Sequence, residues 1–474
     1  MERITLTIDG REISAASGQT ILEAALEHGI HIPTLCWHPK LSPIGACRVC
    51  LVRVHGEERL VASCQVPVTD GMVVVTNDPE IVAERRKALS YALVDHPLDC
   101  GMCDKSGECE LQDRTVELGL NEPIFPRIGY NKGLSELSPL IELCNTRCIA
   151  CGRCIQICQE VQGARAIDYV VQEGCKTVVG PTVDDGYPCE SCGQCITVCP
   201  CGVILDRTFK HHARAYELAK TVSICPYCSL GCLLQLNHHH GVLRRVTPLD
   251  REWLNQGNLC LLGRFAWDTA TAEPDASYDA IQVGTEIGHR LEAIRDKYSG
   301  KAVAVLAGTE FYNEDYDALQ LLARQGLQSP HLHLLGVESN LAFRRVLAES
   351  FGIVASPASL DDLRRADRIL VLNSDLVEAF PVAALELIQG CLRRGTELTT
   401  VGYRMNKLTD ISTRVIRNQP NSDHLLLAAL LKLMQEGGSG IAANERDAGR
   451  LARISADQLA GLAGVTIQEL SEVA

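Results

Sequence analysis

Residues 148–158 read Cys148-Ile-Ala-Cys151-Gly-Arg-Cys154-Ile-Gln-Ile-Cys158, and residues 189–200 read Cys189-Glu-Ser-Cys192-Gly-Gln-Cys195-Ile-Thr-Val-Cys199-Pro200. Each is the run C-x2-C-x2-C-x3-C, and the second closes on proline. In runs of this form three thiolates hold one [4Fe-4S] cluster and the fourth crosses over to the other. The repeat therefore predicts one cluster on Cys148, Cys151, Cys154 and Cys199, and a second on Cys189, Cys192, Cys195 and Cys158. Paired C-x2-C spacings also suit tetrahedral zinc, so two zinc sites are the competing reading, although four closely spaced thiols and a proline fit a closed four-thiolate site poorly.

Every other cysteine group lies to one side or the other of this stretch. The chain has 474 residues, too many for one ordinary core, so three or four domains are expected. Its unusual feature is sulfur: 23 cysteines against 4% aromatic residues. The thiols fall in x2 and x3 spacings and the opening Met1-Glu-Arg-Ile-Thr is no signal peptide, which points to a reducing, cytoplasmic setting rather than a disulfide framework. The longest apolar run, Leu425 to Leu431, stops at Lys432 and reads as a core helix rather than a membrane span. A net charge of −14 argues against a nucleic-acid partner.

Residues 1–80 begin with alternating Ile4, Leu6 and Ile8, turn at Asp9-Gly10 and offer a helix from Thr20 to His28. Cys36-x10-Cys47-x2-Cys50-x13-Cys64 follows. Strand, turn, strand, helix and a cysteine loop resemble the β-grasp of [2Fe-2S] ferredoxins, which implies a cluster on Cys36, Cys47, Cys50 and Cys64. The spacing departs from the plant-type run, so structural zinc stays open as the alternative.

Residues 81–120 hold a charged helix, Glu84 to Val94, and then His96-Pro-Leu-Asp-Cys100-Gly-Met-Cys103-Asp-Lys-Ser-Gly-Glu-Cys109-Glu-Leu-Gln-Asp113. A lone histidine is ordinarily a surface or core residue. This one stands in text that is similar, residue by residue, to the His-ligated [4Fe-4S] motif of the large iron–sulfur subunit of respiratory complex I and of related NADH-linked hydrogenases and formate dehydrogenases. The resemblance implies a [4Fe-4S] cluster on His96, Cys100, Cys103 and Cys109.

Residues 121–215 form the two-cluster ferredoxin-like domain, with short strands expected at 167–171 and 177–179; Cys144, Cys175 and Cys201 complete no set and read as free thiols. In residues 216–270, Cys225-Pro-Tyr-Cys228-Ser-Leu-Gly-Cys232 and Cys260 resemble the N-terminal cluster domain of molybdopterin oxidoreductases, which implies a further [4Fe-4S] site. His238, His239 and His240 read as a solvated hairpin tip, because neighbours on an extended chain face opposite ways.

From 271 to 474 the pattern alternates strands and helices, with strands expected at 301–307, 331–335, 368–372 and 398–401 in a doubly wound α/β arrangement. Glu436 to Gly440 reads as a linker before a small helical end. No G-x-G-x-x-G and no P-loop occurs, so no NAD or flavin is expected on this chain. Ser374-Asp-Leu-Val-Glu-Ala-Phe-Pro381-Val resembles the strand-to-helix segment of the pterin region of formate dehydrogenases. Three departures imply a degenerate scaffold without molybdopterin: Leu262 replaces the lysine that usually follows the last cluster cysteine, Ser339 and Asn340 stand at the catalytic Cys-His positions, and the chain stops at Ala474. Cys391, inside a helix, is no substitute.

The fold class expected is thus multidomain α+β and α/β: a β-grasp [2Fe-2S] ferredoxin domain, a His-ligated [4Fe-4S] domain, a two-cluster ferredoxin domain, a four-cysteine domain and a truncated molybdopterin-oxidoreductase-like α/β domain. The resemblance implies an iron–sulfur electron-relay subunit of a multisubunit NADH-linked oxidoreductase, of hydrogenase or electron-bifurcating type, with one [2Fe-2S] and four [4Fe-4S] clusters and no catalytic residue of its own. Implied partners are a flavin/NADH-binding iron–sulfur subunit, a small thioredoxin-like [2Fe-2S] subunit, and a terminal catalytic subunit or ferredoxin, without membrane insertion. Alternatives are the large subunit of a complex I peripheral arm, part of a split molybdenum or tungsten formate dehydrogenase, and a non-redox zinc scaffold.

Overall fold

The computed structural model describes residues 3–129, 133–172, 176–182, 189–249, 254–267, 279–308, 311–335, 338–354, 356, 358–437 and 453–473. The strand Arg3–Ile8 turns inward through Leu6 and Ile8, and Asp9 and Gly10, both at positive φ, make the tight turn that pairs it antiparallel with Arg11–Ala16. Val73–Val75 adds in parallel on the other edge, followed by Leu51–Val54 and Val61–Ala62, to give a five-stranded mixed sheet. The helix Ile21–Glu27 starts at a capping box between Thr20 and Glu23 and buries Ile21, Leu22, Ala24 and Ala25 in one core with Leu6, Ile8, Val52 and Val74. Cys50 and Cys64 belong to that core, so the cysteine loop is anchored by the sheet.

The next helix, Pro79–Leu93, begins five residues ahead of the expected Glu84. Asp78 caps it through the Ile81 N–H and Pro79 takes the first helical position, a start signal stronger than the charge pattern after it.

The two-cluster module repeats one backbone twice. Ala150 and Ser191 both have φ of 53°, and Gly152 and Gly193 have φ of 75° and 70°, so each loop turns the same way into a short helix, Arg153–Gln156 or Gln194–Val198. A three-stranded sheet, Ile204–Asp206, Ile141–Cys144 and Leu134–Ser138, and a hairpin, Ile167–Gln172 with Lys176–Pro181, complete it. Cys175 lies outside the described residues.

Strands Ala219–Ile224, Leu233–His239 and Val242–Pro248 form an antiparallel sheet. His238 and His239 end the middle strand, and the turn itself is His240-Gly241.

Beyond residue 279 the expected single doubly wound sheet is not found among the described residues. Ala304–Ala307 pairs in parallel with His331–Leu334, while Arg368–Leu372, Glu397–Val401 and Arg414–Ile416 form a separate parallel sheet. The difference lies in burial. The helix Pro381–Gln389 buries Val382 to Ile388, and its Leu385 and Ile388 share a core with Leu398 and with the two-cluster module. The helices Ala280–Tyr298 and Glu338–Phe351 instead leave Ile281, Phe343 and Phe351 exposed, so the first strand pair lacks a comparable packed layer.

The apolar run at 425–431 lies within the helix Asp423–Glu436, which buries Leu426, Ala429 and Leu430 against Leu459, Ala460 and Leu470. Residues 438–440 of the expected linker lie outside the described residues, as do the side chains of Ser339 and Asn340. No helix among the described residues is long and apolar enough to cross a membrane.

Candidate metal centres

In the N-terminal domain, Cys36, Cys50 and Cys64 are buried and Cys47 is half-buried. The Cys47 backbone N–H donates to Cys36 Sγ at 3.5 Å. The neighbouring thiols of Cys47 and Cys64 hold Cys36 below the usual thiol range, and the Cys64 thiol does the same for Cys50. Cys47 and Cys64, the donors, are pushed up. The four sulfurs, drawn from a segment that includes the strands Leu51–Val54 and Val61–Ala62, are thus electrostatic neighbours.

His96, Cys100, Cys103 and Cys109 line a single apolar cavity of about 250 Å³ with Leu93 and Leu111. His96 is buried, and its Nδ1 lies 2.9 Å from the Arg147 carbonyl. A carbonyl only accepts, so Nδ1 carries the proton and Nε2 keeps its lone pair, the arrangement of a ligating histidine. Burial also lowers its pKa, which favours the neutral ring. Gly202 closes the cavity: a Cβ there would stand 2.2 Å from Cys103 Sγ.

Within the two-cluster module, Cys148, Cys151, Cys154 and Cys199 line one small cavity, and Cys158, Cys189, Cys192 and Cys195 line another. Backbone N–H groups point at the sulfurs in matching fashion, Ala150 to Cys148 and Ser191 to Cys189, both at 3.4 Å, with Ala166 to Cys158 at 3.2 Å. The left-handed turns at Ala150 and Ser191 aim those donors. Burial pushes Cys151 and Cys192 up to about 12, and raises Cys154 and Cys195 as well. Such thiols give up their protons when a metal takes their place. Cys201, expected to be a bystander, is buried on the wall of the first cavity, its Sγ 3.4 Å from the Arg147 carbonyl. Cys144 is buried in its strand.

Cys225 and Cys232 are buried and Cys228 and Cys260 half-buried. The Cys225 N–H donates to the Cys232 carbonyl at 2.9 Å, closing the loop. After desolvation, repulsion from the other three sulfurs is what raises Cys232 to about 12, so the four are electrostatic neighbours. Leu262 is exposed.

The donor sets are soft thiolates, one with an imidazole, which is the chemistry iron–sulfur clusters use. In the His96 set and in both sets of the two-cluster module the ligands surround a cavity. Among the described residues no group of three or more His, Cys, Asp or Glu is arranged to hold a single ion.

A separate pocket of about 170 Å³ lies at the carboxyl ends of the three parallel strands, lined by Asn373, Ser374, Asp375, Gly402, Arg404 and Asn406. It takes in Ser374 and Asp375, the start of the segment singled out in the sequence.

Sequence reasoning misses four buried arginines, Arg85, Arg147, Arg153 and Arg264. Arg85 donates twice to the Leu51 carbonyl beside Cys50, at 2.9 and 2.7 Å. Arg147 pairs with Asp99, beside Cys100, at 2.7 Å. Arg264 donates to the Cys192 carbonyl at 3.0 Å and to Thr197 Oγ1 at 2.8 Å. The one signal in the sequence is position: Arg147 and Arg153 directly precede Cys148 and Cys154.

Comparison with known proteins gives four family matches. Residues 1–79 match a 2Fe-2S iron-sulfur cluster binding domain, residues 85–123 the NADH-ubiquinone oxidoreductase-G iron-sulfur binding region, residues 138–205 the ferredoxin-like domain of NADH-quinone oxidoreductase subunit 3, and residues 218–271 a molybdopterin oxidoreductase Fe4S4 domain. NADPH-Fe(3+) oxidoreductase subunit alpha of Geobacter sulfurreducens is 33% identical over 98% of this chain and 56% of its own length. An NADH-quinone oxidoreductase subunit of Rhizobium meliloti is 34% identical over 90% of this chain and 51% of its own. A crystal structure of NAD+-reducing [NiFe]-hydrogenase in the H2-reduced state shares 29% identity at a TM-score of 0.41, covering 44% of this chain and 90% of that one. The chain spans about half the length of the curated relatives it matches.

Proposed function

We propose that this chain, which belongs to the family of large iron–sulfur subunits of NADH-linked oxidoreductases, relays single electrons between a flavin/NADH-binding subunit and a separate terminal catalytic subunit or ferredoxin. The clusters would supply the electron storage, on Cys36, Cys47, Cys50 and Cys64 for [2Fe-2S] and on the His96, Cys148, Cys189 and Cys225 sets for four [4Fe-4S] centres. The observation that carries this reading is the exchange of fourth cysteines: Cys199 lines the cavity of Cys148, Cys151 and Cys154, while Cys158 lines that of Cys189, Cys192 and Cys195. That is the pairing two interlocked four-iron clusters require.

The chain's own residues hold position and set potential. Backbone N–H groups at Ala150, Ser191 and Ala166 donate to sulfur and favour the reduced state, and burial opposes them. A cytoplasmic setting agrees with cysteines in metal-ligand spacings rather than in disulfides. The strand-and-helix region beyond residue 279 serves as scaffold.

Metal analysis tests the reading. A loaded chain should carry about 18 iron atoms, two from one binuclear and sixteen from four tetranuclear centres, and no molybdenum or tungsten. It should be reduced by dithionite, and by NADH only after the flavin subunit is added. Zinc in place of iron, or direct reduction by NADH, would contradict it. Identity to the Rhizobium meliloti NADH-quinone oxidoreductase subunit supports a complex I arm as a second reading, separated from the first by which subunits co-purify.

A further inference from the structure

We propose that Arg153 is the positioning residue of the relay, a single buried cation that locks three cluster loops into register and sets the potential of their three centres. The proposal rests on the electron-relay reading. Arg153 is 2% exposed. Its Nη1 donates to Glu110 Oε1 at 2.7 Å and to the Val198 carbonyl at 3.3 Å, and its Nη2 donates to Glu110 Oε2 at 2.8 Å and to the Trp37 carbonyl at 2.7 Å.

Each of those partners adjoins a cluster cysteine. Trp37 follows Cys36, Glu110 follows Cys109, Val198 precedes Cys199, and Arg153 itself precedes Cys154. One planar guanidinium therefore joins the [2Fe-2S] loop, the His-ligated loop and both halves of the Cys148 site. The other buried arginines reach fewer sites; Arg264 donates to Cys192 and Thr197, both in the module next to its own.

Two physical reasons make arginine the residue for this place. Its charge is permanent and spread over a planar group, which a compact ammonium cannot match. Its fork serves a carboxylate bidentately while its remaining N–H groups reach carbonyls on other loops. A fixed cation beside a cluster favours the added electron, and a fixed hinge between loops sets the distances over which electrons pass.

The test uses the full cluster-loaded chain, with each electron paramagnetic resonance signal assigned by cysteine variants. Arg153→Met should keep the iron content, move the midpoint potentials of the [2Fe-2S], His96 and Cys148 centres to more negative values, and leave the Cys189 and Cys225 centres unshifted. Arg153→Lys, which keeps a charge and loses the fork, should return the potentials toward wild type while the spin coupling between the three centres stays altered. Arg264→Met is the matched control and should shift the Cys189 and Cys225 centres instead. A shift in all five centres, in none, or in only one of the three overturns the proposal. Where Arg153→Met loses iron, Arg153→Lys decides: altered coupling supports the proposal, wild-type coupling overturns it. A wild-type chain without iron overturns the relay reading and this inference with it, whereas a loaded chain with no shift overturns the inference alone.

Discussion

At position 202 any side chain collides with a sulfur. The Cβ of an alanine would lie 2.2 Å from Cys103 Sγ, so Gly202→Ala should displace one ligand without removing it and weaken the signal of the His96 centre. Gly241→Ala, at a turn where nothing lies within 4 Å, should leave that signal alone. His96→Ala removes a ligand outright and should cost about four irons per chain, with the [2Fe-2S] signal intact. An unchanged spectrum in His96→Ala would refute the ligand role. The candidate ligands are legible in the sequence because sulfur spacing is itself the signal. Gly202 and the four arginines are not, because their work depends on neighbours far away in the chain, as Cys103 is from Gly202 and Trp37 from Arg153.

Elements are legible where a local signal exists and obscure where tertiary packing decides. The hairpin at Asp9-Gly10 and the helix after Thr20 follow from turn and cap chemistry and stand where expected. Thr20→Ala removes the cap on the Glu23 N–H and should cost about 1 kcal/mol, read as an earlier loss of [2Fe-2S] absorption in a denaturant titration. No change in midpoint would show that the cap adds nothing to the domain's stability. The charge pattern places the start of the helix Pro79–Leu93 too late, because it carries the eye past the cap at Asp78-Pro79. Strands beyond residue 300 stand out by their apolar runs, but their division into two sheets is not legible. Strand periodicity says which residues face inward and nothing about which strands become neighbours.

Across the whole molecule, the largest core is continuous from the [2Fe-2S] domain to the second parallel sheet. Leu35, Leu89, Cys109, Cys154, Cys199, Leu385 and Leu398 all belong to it. Four of the proposed centres contribute cysteines to that core or to its margin, and the Cys225 set joins a smaller one with Val382. Domain seams are closed by charge as well as by apolar contact: Arg245 of the four-cysteine domain pairs bidentately with Glu108, the residue before Cys109, at 2.8 and 2.7 Å. Breaking it by Arg245→Ala leaves the partly buried Glu108 with Lys105 alone, at a cost of about 1.5 kcal/mol. The His96 and Cys225 centres should then lose iron together under mild chelation, and independent loss would contradict a shared seam.

Each of the five ligand sets should hold one cluster. Diffraction from the loaded chain, measured on both sides of the iron absorption edge, decides whether it does. Five anomalous peaks are predicted, one within each set, with the weakest at Cys36, Cys47, Cys50 and Cys64. An empty set, or a peak at the zinc edge in place of iron, would contradict it.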